Sequence, residues 1–305
     1  MNRGNAAGIA AKLAELLGDV RSAPEWRYGL RDDGKVGLDC LKVVTAGLDD
    51  HVGVSHAMRG GRFVLRLHRS RDLFTWRHVV DLDDHASQGD LFPQPDGSWW
   101  LAYEHDEPNS VFIRLRRYRS RADLERGKWD WETTLGRSLA PTAEGTPTIE
   151  RVERDAIRLR FHYYRDGDVD RAASGILRGL GDWTTARDAG LDAAVEAKGV
   201  RGNIGGRCRL RLGGRYWWLQ EGQLRKGDWA SWRTWLLDDP VRQASAIPLV
   251  THGGSTAFAN PYATLLPGSP ARLLVTYFVP SEGAGPGEAG TLLFLRPLSG
   301  TGIDP

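Results

Sequence analysis

From residue 25 onward, short runs rich in β-branched and aromatic residues recur along the chain: KVVTA, HVGVSHA, RFVLRLH, SWWLAYE, VFIRLRRY, IRLRFHYY, RYWWLQE, RLLVTYF and TLLFLRP. Their length, composition and alternation predict β-strands. Asp49-Asp50, Gly60-Gly61, Asp96-Gly97 and Gly213-Gly214 supply tight-turn residues, which predicts antiparallel hairpins. Helical periodicity is confined to residues 6–18, where Ile9, Leu13, Leu16 and Leu17 share one face and Gly18 provides a stop. The pattern predicts a short amphipathic helix within an N-terminal extension at 1–24 and an all-β body at 25–305.

The strands repeat. A polar residue opens a strand and an apolar strand begins thirteen positions later, from Asp39 to Val52, Glu144 to Ile157, Asn203 to Tyr216 and Asn260 to Leu273, with Asp90 to Trp99 as a shorter version. The first two units continue into HRSRDLFTW (68–76) and YRSRADLERGKW (118–129), with weaker echoes at 179–185 and 226–232. Five such units predict a five-bladed β-propeller of four-stranded blades; a pair of β-sandwiches is the alternative. The first strand of each blade lines the axis of a propeller, so Asp39, Asp90, Glu144, Asn203 and Asn260 are expected to converge on one pocket. Blade five shows only three strands, and the segment around Trp26–Leu30 is expected to supply its fourth.

Composition narrows the partners. Lys and Arg number 41 against 39 Asp and Glu, and this near-balance gives no basic field for nucleic acid. No apolar run approaches the roughly 18 residues of a membrane span, and no export signal stands in the chain as given, so a cytoplasmic location is expected. Cys40 and Cys208 are far apart and lack metal-ligand spacing, which predicts buried reduced thiols. Dinucleotide, P-loop, C-x-x-C and G-x-S-x-G patterns are missing, and His252 stands alone, so no cofactor and no metal are expected. Trp76, Trp129, Trp183 and Trp229 recur near equivalent places and are expected to pack between blades; Trp99, Trp100, Trp217 and Trp218 are expected in the core.

Three carboxylates from successive blades are costly to gather unless they work, because like charges raise one another's pKa. Glycoside hydrolysis needs such groups: one carboxyl protonates the leaving oxygen while another activates water or attacks. The second strands run back to the same rim, bringing His56, Glu104, His105, Tyr163, Glu221 and Gln223 toward it, while Arg201 lies two positions before Asn203. His56, His105, Arg201, Asn203, Glu221 and Asn260 are the candidate substrate-binding residues.

The Asp, Asp, Glu order at the first three openings, the S-x-D-L-x-x-W string and Glu144-Gly145-Thr146-Pro147 resemble glycoside hydrolase family 43 and its five-bladed relatives, families 62 and 117, over most of the chain. The resemblance implies Asp39 as general base, Asp90 as the carboxylate that orients the acid and tunes its pKa, and Glu144 as general acid. It further implies an inverting mechanism on a pentose, furanose or similarly small sugar. Leu38-Asp39-Cys40 stands where family 43 has A-D-P, and the E-G-P string carries an inserted threonine. The strings of families 32 and 68 do not occur. A non-catalytic carbohydrate-binding propeller, or an enzyme that transglycosylates or tailors a small glycosylated metabolite, remain the alternatives.

Overall fold

The computed structural model describes residues 3–304 apart from 109, 180 and 240–242. The chain is a five-bladed β-propeller of four-stranded antiparallel sheets with a short N-terminal helix. Helix α1 (Arg3–Gly18) is followed by strand β1 (Glu25–Arg27). Blade one holds β2 (Asp39–Gly47), β3 (Asp50–Arg59), β4 (Arg62–Ser70) and β5 (Trp76–Asp84). Blade two holds β6 (Ala86–Pro93), β7 (Trp99–Glu107), β8 (Ser110–Tyr118) and, after the short helix α2 (Arg121–Glu125), β9 (Trp131–Leu135). Blade three holds β10 (Glu144–Val152), β11 (Ala156–Arg165), β12 (Val169–Arg178) and β13 (Asp182–Arg187), and α3 (Ala189–Glu196) follows it. Blade four holds β14 (Ile204–Leu212), β15 (Arg215–Gln223), β16 (Trp232–Asp238) and β17 (Ala244–Ala246). Blade five holds β18 (Ala259–Leu266), β19 (Arg272–Val279) and β20 (Gly290–Pro297).

The expected fourth strand of blade five is β1, which pairs with β20 through Glu25↔Leu295, Trp26↔Phe294 and Arg27↔Leu293. An early segment thereby satisfies the edge of a late strand, whose backbone groups would otherwise be unpaired.

Two compact units divide the chain, Arg31–Ala189 with blades one to three, and the residues up to Leu30 with those from Gly190 onward. In the first unit, Val54, Leu65, Leu101 and Tyr103 belong to one buried cluster, and Trp100, Ile149, Leu159 and Phe161 to another. In the second, Leu13, Leu16 and Leu17 of α1 bury against a cluster containing Leu210, Leu219, Phe258 and Tyr277. Each fully buried leucine contributes about 2 kcal/mol of transfer free energy, and this packing of one face holds the helix in place. Cys40 and Cys208 are both buried and form no disulfide.

The S-x-D-L-x-x-W string is a turn between third and fourth strands. Ser70 Oγ accepts the Leu73 N–H, Asp72 Oδ1 accepts those of Phe74 and Thr75, and the Trp76 indole donates to the Leu73 carbonyl at 2.7 Å. Trp76 therefore opens β5 inside the core, and Trp131 and Trp232 open the corresponding strands of blades two and four. The expected packing roles of Trp129 and Trp229 are corrected: they precede those positions in the turn and are 43% and 50% exposed.

Candidate active site in blades one to three

Each first strand in the first unit carries a β-bulge near its start, and the bulges align the blades. In blade one it falls between Asp39 and Lys42, in blade two between Ser87 and Asp90, and in blade three between Gly145 and Thr148. The residue just inside each bulge has positive φ: Cys40 at 57°, Gln88 at 53° and Thr146 at 47°. Such backbone is costly for a residue with a Cβ and is held only where the surroundings fix it.

This register changes which residues correspond. Asp39, Ser87 and Gly145 are equivalent, paired across the hairpin with His56, Glu104 and His162. Asp90 lies three positions further along, level with Lys42 and Thr148, and Glu144 lies one position earlier than Gly145. In the second unit, Asn203 directly precedes β14, while Asn260 is the positive-φ residue of the β18 bulge. The five polar openers thus occupy four different register positions. Equal spacing along the chain did not place them alike because they stand at different offsets from the bulge that every inner strand carries.

The bulges are held by a repeated clasp, in which a second-strand side chain accepts the backbone N–H of the bulge residue in the next blade. His56 Nδ1 accepts from Gln88 at 3.3 Å, and Glu104 Oε2 accepts from Thr146 at 2.8 Å. In the second unit, Glu221 Oε2 accepts from Asn260, while its Oε1 accepts from Gly206. Glu221 is buried with both oxygens committed. Glu104 is half-buried, and among the described residues its Oε1 has only Ser87 Oγ nearby at 3.5 Å.

Asp39 is a half-buried carboxylate, and no hydrogen-bond donor reaches it among the described residues. Burial raises its pKa, and the positive charge of Arg31 partly opposes the rise. His56, its cross-strand partner, is buried with its ring edge-on to Phe63, and desolvation lowers its pKa to about 4. At neutral pH the ring is therefore neutral, and because Nδ1 accepts from Gln88 the proton resides on Nε2.

Asp90 and Glu144 are more heavily engaged. Asp90 pairs with Lys42 Nζ at 3.0 Å through Oδ1 and accepts the Ile149 N–H at 2.7 Å through Oδ2, tying the three inner strands together. Glu144 Oε1 accepts the N–H groups of Ser138, Leu139 and Ala140 at 2.7, 2.5 and 3.2 Å, clasping the loop before β10, and the residue is 2% exposed.

The remaining candidates have different local surroundings. His105 turns to the Asp83 network, with Nδ1 3.5 Å from Asp83 Oδ2, where Tyr103, Arg114 and Arg116 also converge. Desolvation lowers its pKa. Tyr163 is buried opposite Glu144. In the second unit, Arg201 donates to the carbonyls of Glu196 and Val200 beyond α3, so its guanidinium serves the helix end. Gln223 Oε1 accepts the Asn203 N–H at 3.3 Å, and Asn260 Oδ1 is buried without a hydrogen-bond partner among the described residues. His252 is exposed, 4.2 Å from the Trp26 ring and bonded to the Tyr28 hydroxyl at 3.0 Å. Among the described residues no group of three or more His, Cys, Asp or Glu is arranged to hold a metal.

No family model matches the sequence, and no curated protein does. Solved structures do. A thermostable family-43 glycoside hydrolase superimposes with a TM-score of 0.59 at 10% identity, covering 91% of this chain and 95% of that one. The catalytic domain of the Coprinopsis cinerea family 62 α-L-arabinofuranosidase gives 0.55 at 11% identity over 90% and 98% of the two chains. A family 117 glycoside hydrolase produced by the marine bacterium Zobellia galactanivorans gives 0.55 at 12% identity over 92% and 91%. These neighbours are glycoside hydrolases, and at such identities the likeness is one of fold.

Proposed function

We propose that this chain is a glycosidase that cleaves a small-sugar linkage, of pentose or furanose type, by general acid/base catalysis with Asp39 as the base. The observation that carries the reading is the state of Asp39: a half-buried carboxylate with a raised pKa and no donor among the described residues, at the start of an inner strand. A base must keep its lone pairs for a water proton, and a carboxylate bound by donors has spent them. Beside it, the Nε2–H of neutral His56 is available to a sugar hydroxyl. Asp90, through Lys42 and Ile149, holds the inner strands in register beneath the site. Inversion is the expected outcome, with water between base and acid.

A second reading, a carbohydrate-binding propeller without turnover, is favoured by the commitment of Glu144 Oε1 to the loop at 138–140. The two are separated by assaying nitrophenyl pentosides and hexosides and measuring saccharide binding by calorimetry. Turnover lost in Asp39→Asn, with proton NMR giving the first-formed anomer, supports the glycosidase. Binding without turnover supports the second reading, and neither binding nor turnover overturns both.

A further inference from the structure

We propose that the proton donor of this site is Glu104, on the second strand of blade two, and that Glu144 is a structural clasp. The proposal rests on the glycosidase reading above and names the second carboxylate that reading requires. Three features of the first unit carry it. Glu104 pairs with Ser87, the register equivalent of Asp39 in the next blade, so the bulges place it at the same level as Asp39 and His56. Its carboxylate is half held: Oε2 accepts from the Thr146 N–H at 2.8 Å and the Thr146 hydroxyl at 3.2 Å, while among the described residues Oε1 has only the long Ser87 contact. Residue 145 is a glycine against which the carboxylate lies, since a Cβ there would fall 2.2 Å from Oε2 and 2.8 Å from the carboxyl carbon. Glu144 differs in its burial, at 2% exposed, and in the three backbone donors that bind its Oε1 and tie it to the loop at 138–140.

The chemistry balances with these two groups. Glu104 Oε1–H passes its proton to the glycosidic oxygen as the bond from that oxygen to the anomeric carbon breaks. Asp39 takes a proton from the water whose oxygen bonds to the same carbon. Glu104 leaves the step as carboxylate and Asp39 as acid, and exchange with solvent restores both.

Glu104→Gln is the decisive variant, because the amide oxygen still accepts from Thr146 while the transferable proton is gone. On nitrophenyl glycosides and on an alkyl glycoside of the same sugar, the loss should be about 10²- to 10⁴-fold for the alkyl leaving group and far smaller for dinitrophenyl. Glu144→Gln should lower Tm and leave the ratio of the two rates unchanged. Where Glu104→Gln does not fold, Glu104→Asp, which retracts the carboxyl by one methylene, should show the same leaving-group dependence at smaller size. Equal losses on both substrates in Glu104→Gln, or a leaving-group signature in Glu144→Gln, overturn the proposal while Asp39-dependent turnover keeps the glycosidase reading standing. Wild-type protein that turns over no glycoside overturns both.

Discussion

Glu104 lies against the backbone of Gly145 so closely that a Cβ on residue 145 would sit 2.2 Å from its Oε2. Gly145→Ala forces either the carboxylate or the bulge to move. Because the Glu104 carboxylate is the end of a flexible side chain, it is the group that yields. Activity is expected to fall at least tenfold with near-UV circular dichroism preserved, and unchanged kcat/KM would show that the carboxylate position does not matter.

With Asp39 as the proposed base, the acid side of the pH profile is expected to follow its ionisation. Burial disfavours the charged form and raises its pKa above the usual 3.8, while Arg31 pulls it back. As a base it must be ionised, so activity rises as pH climbs through that raised value. Arg31→Ala removes the opposing charge, and the acidic midpoint of kcat/KM should move to higher pH. A shift the other way would remove Asp39 from the base role.

Stability carries a histidine signature. Desolvation lowers the pKa of His56 from 6.5 to about 4 and that of His68, beside Arg66, to about 3. The folded state therefore resists protons that the unfolded chain accepts, so this part of the stability is complete above pH 6.5 and lost as pH falls toward 4. For His56 the difference amounts to at most about 3 kcal/mol. Urea denaturation of wild type against His56→Gln between pH 7 and 4 should show the stability difference shrinking with acid, and a constant difference would contradict it.

In the second unit Glu288 gathers donors from Thr251 Oγ1, Gly253 N and Ser255 N and Oγ. Burial pushes its pKa up, but the hydrogen bonds outweigh that and hold it at about 2. Its contribution is present above pH 4.5 and lost as pH falls toward 2. Glu288→Ala strands several buried donors and should cost about 3 kcal/mol at pH 7, read as a lowered urea midpoint.

Blade five depends on chain far from it in sequence. Deleting residues 1–27 removes both α1, with its three buried leucines, and the β1 partner of β20. The shortened protein should unfold at lower temperature and aggregate through the exposed β20 edge. A Tm and solubility equal to the full chain would contradict the pairing.

Strand identity and blade count were legible because alternation, turn residues and a repeat of roughly fifty residues are local properties, readable wherever each strand packs as its neighbours do. The amphipathic face of Leu13, Leu16 and Leu17 foretold burial for the same reason, and the missing strand of blade five foretold a donor near Trp26.

Register was not local. Asp39, Asp90 and Glu144 look alike in sequence, each a carboxylate opening an inner strand. The bulges that follow Asp39 and Ser87 set Asp39 on one rung and Asp90 three residues past its equivalent, in contact with Lys42 and Ile149. Glu104 was visible only as one of several polar residues near the end of a second strand. What distinguishes it, a glycine in the next blade that makes room for its carboxylate, comes from backbone approaching across blades. The sequence by itself determined how many blades there are and which segments build them, since hydrophobic periodicity acts within a strand. Only the tertiary structure decided which carboxylates are bound and which are left open, since that depends on the donors brought by strands that are not neighbours along the chain.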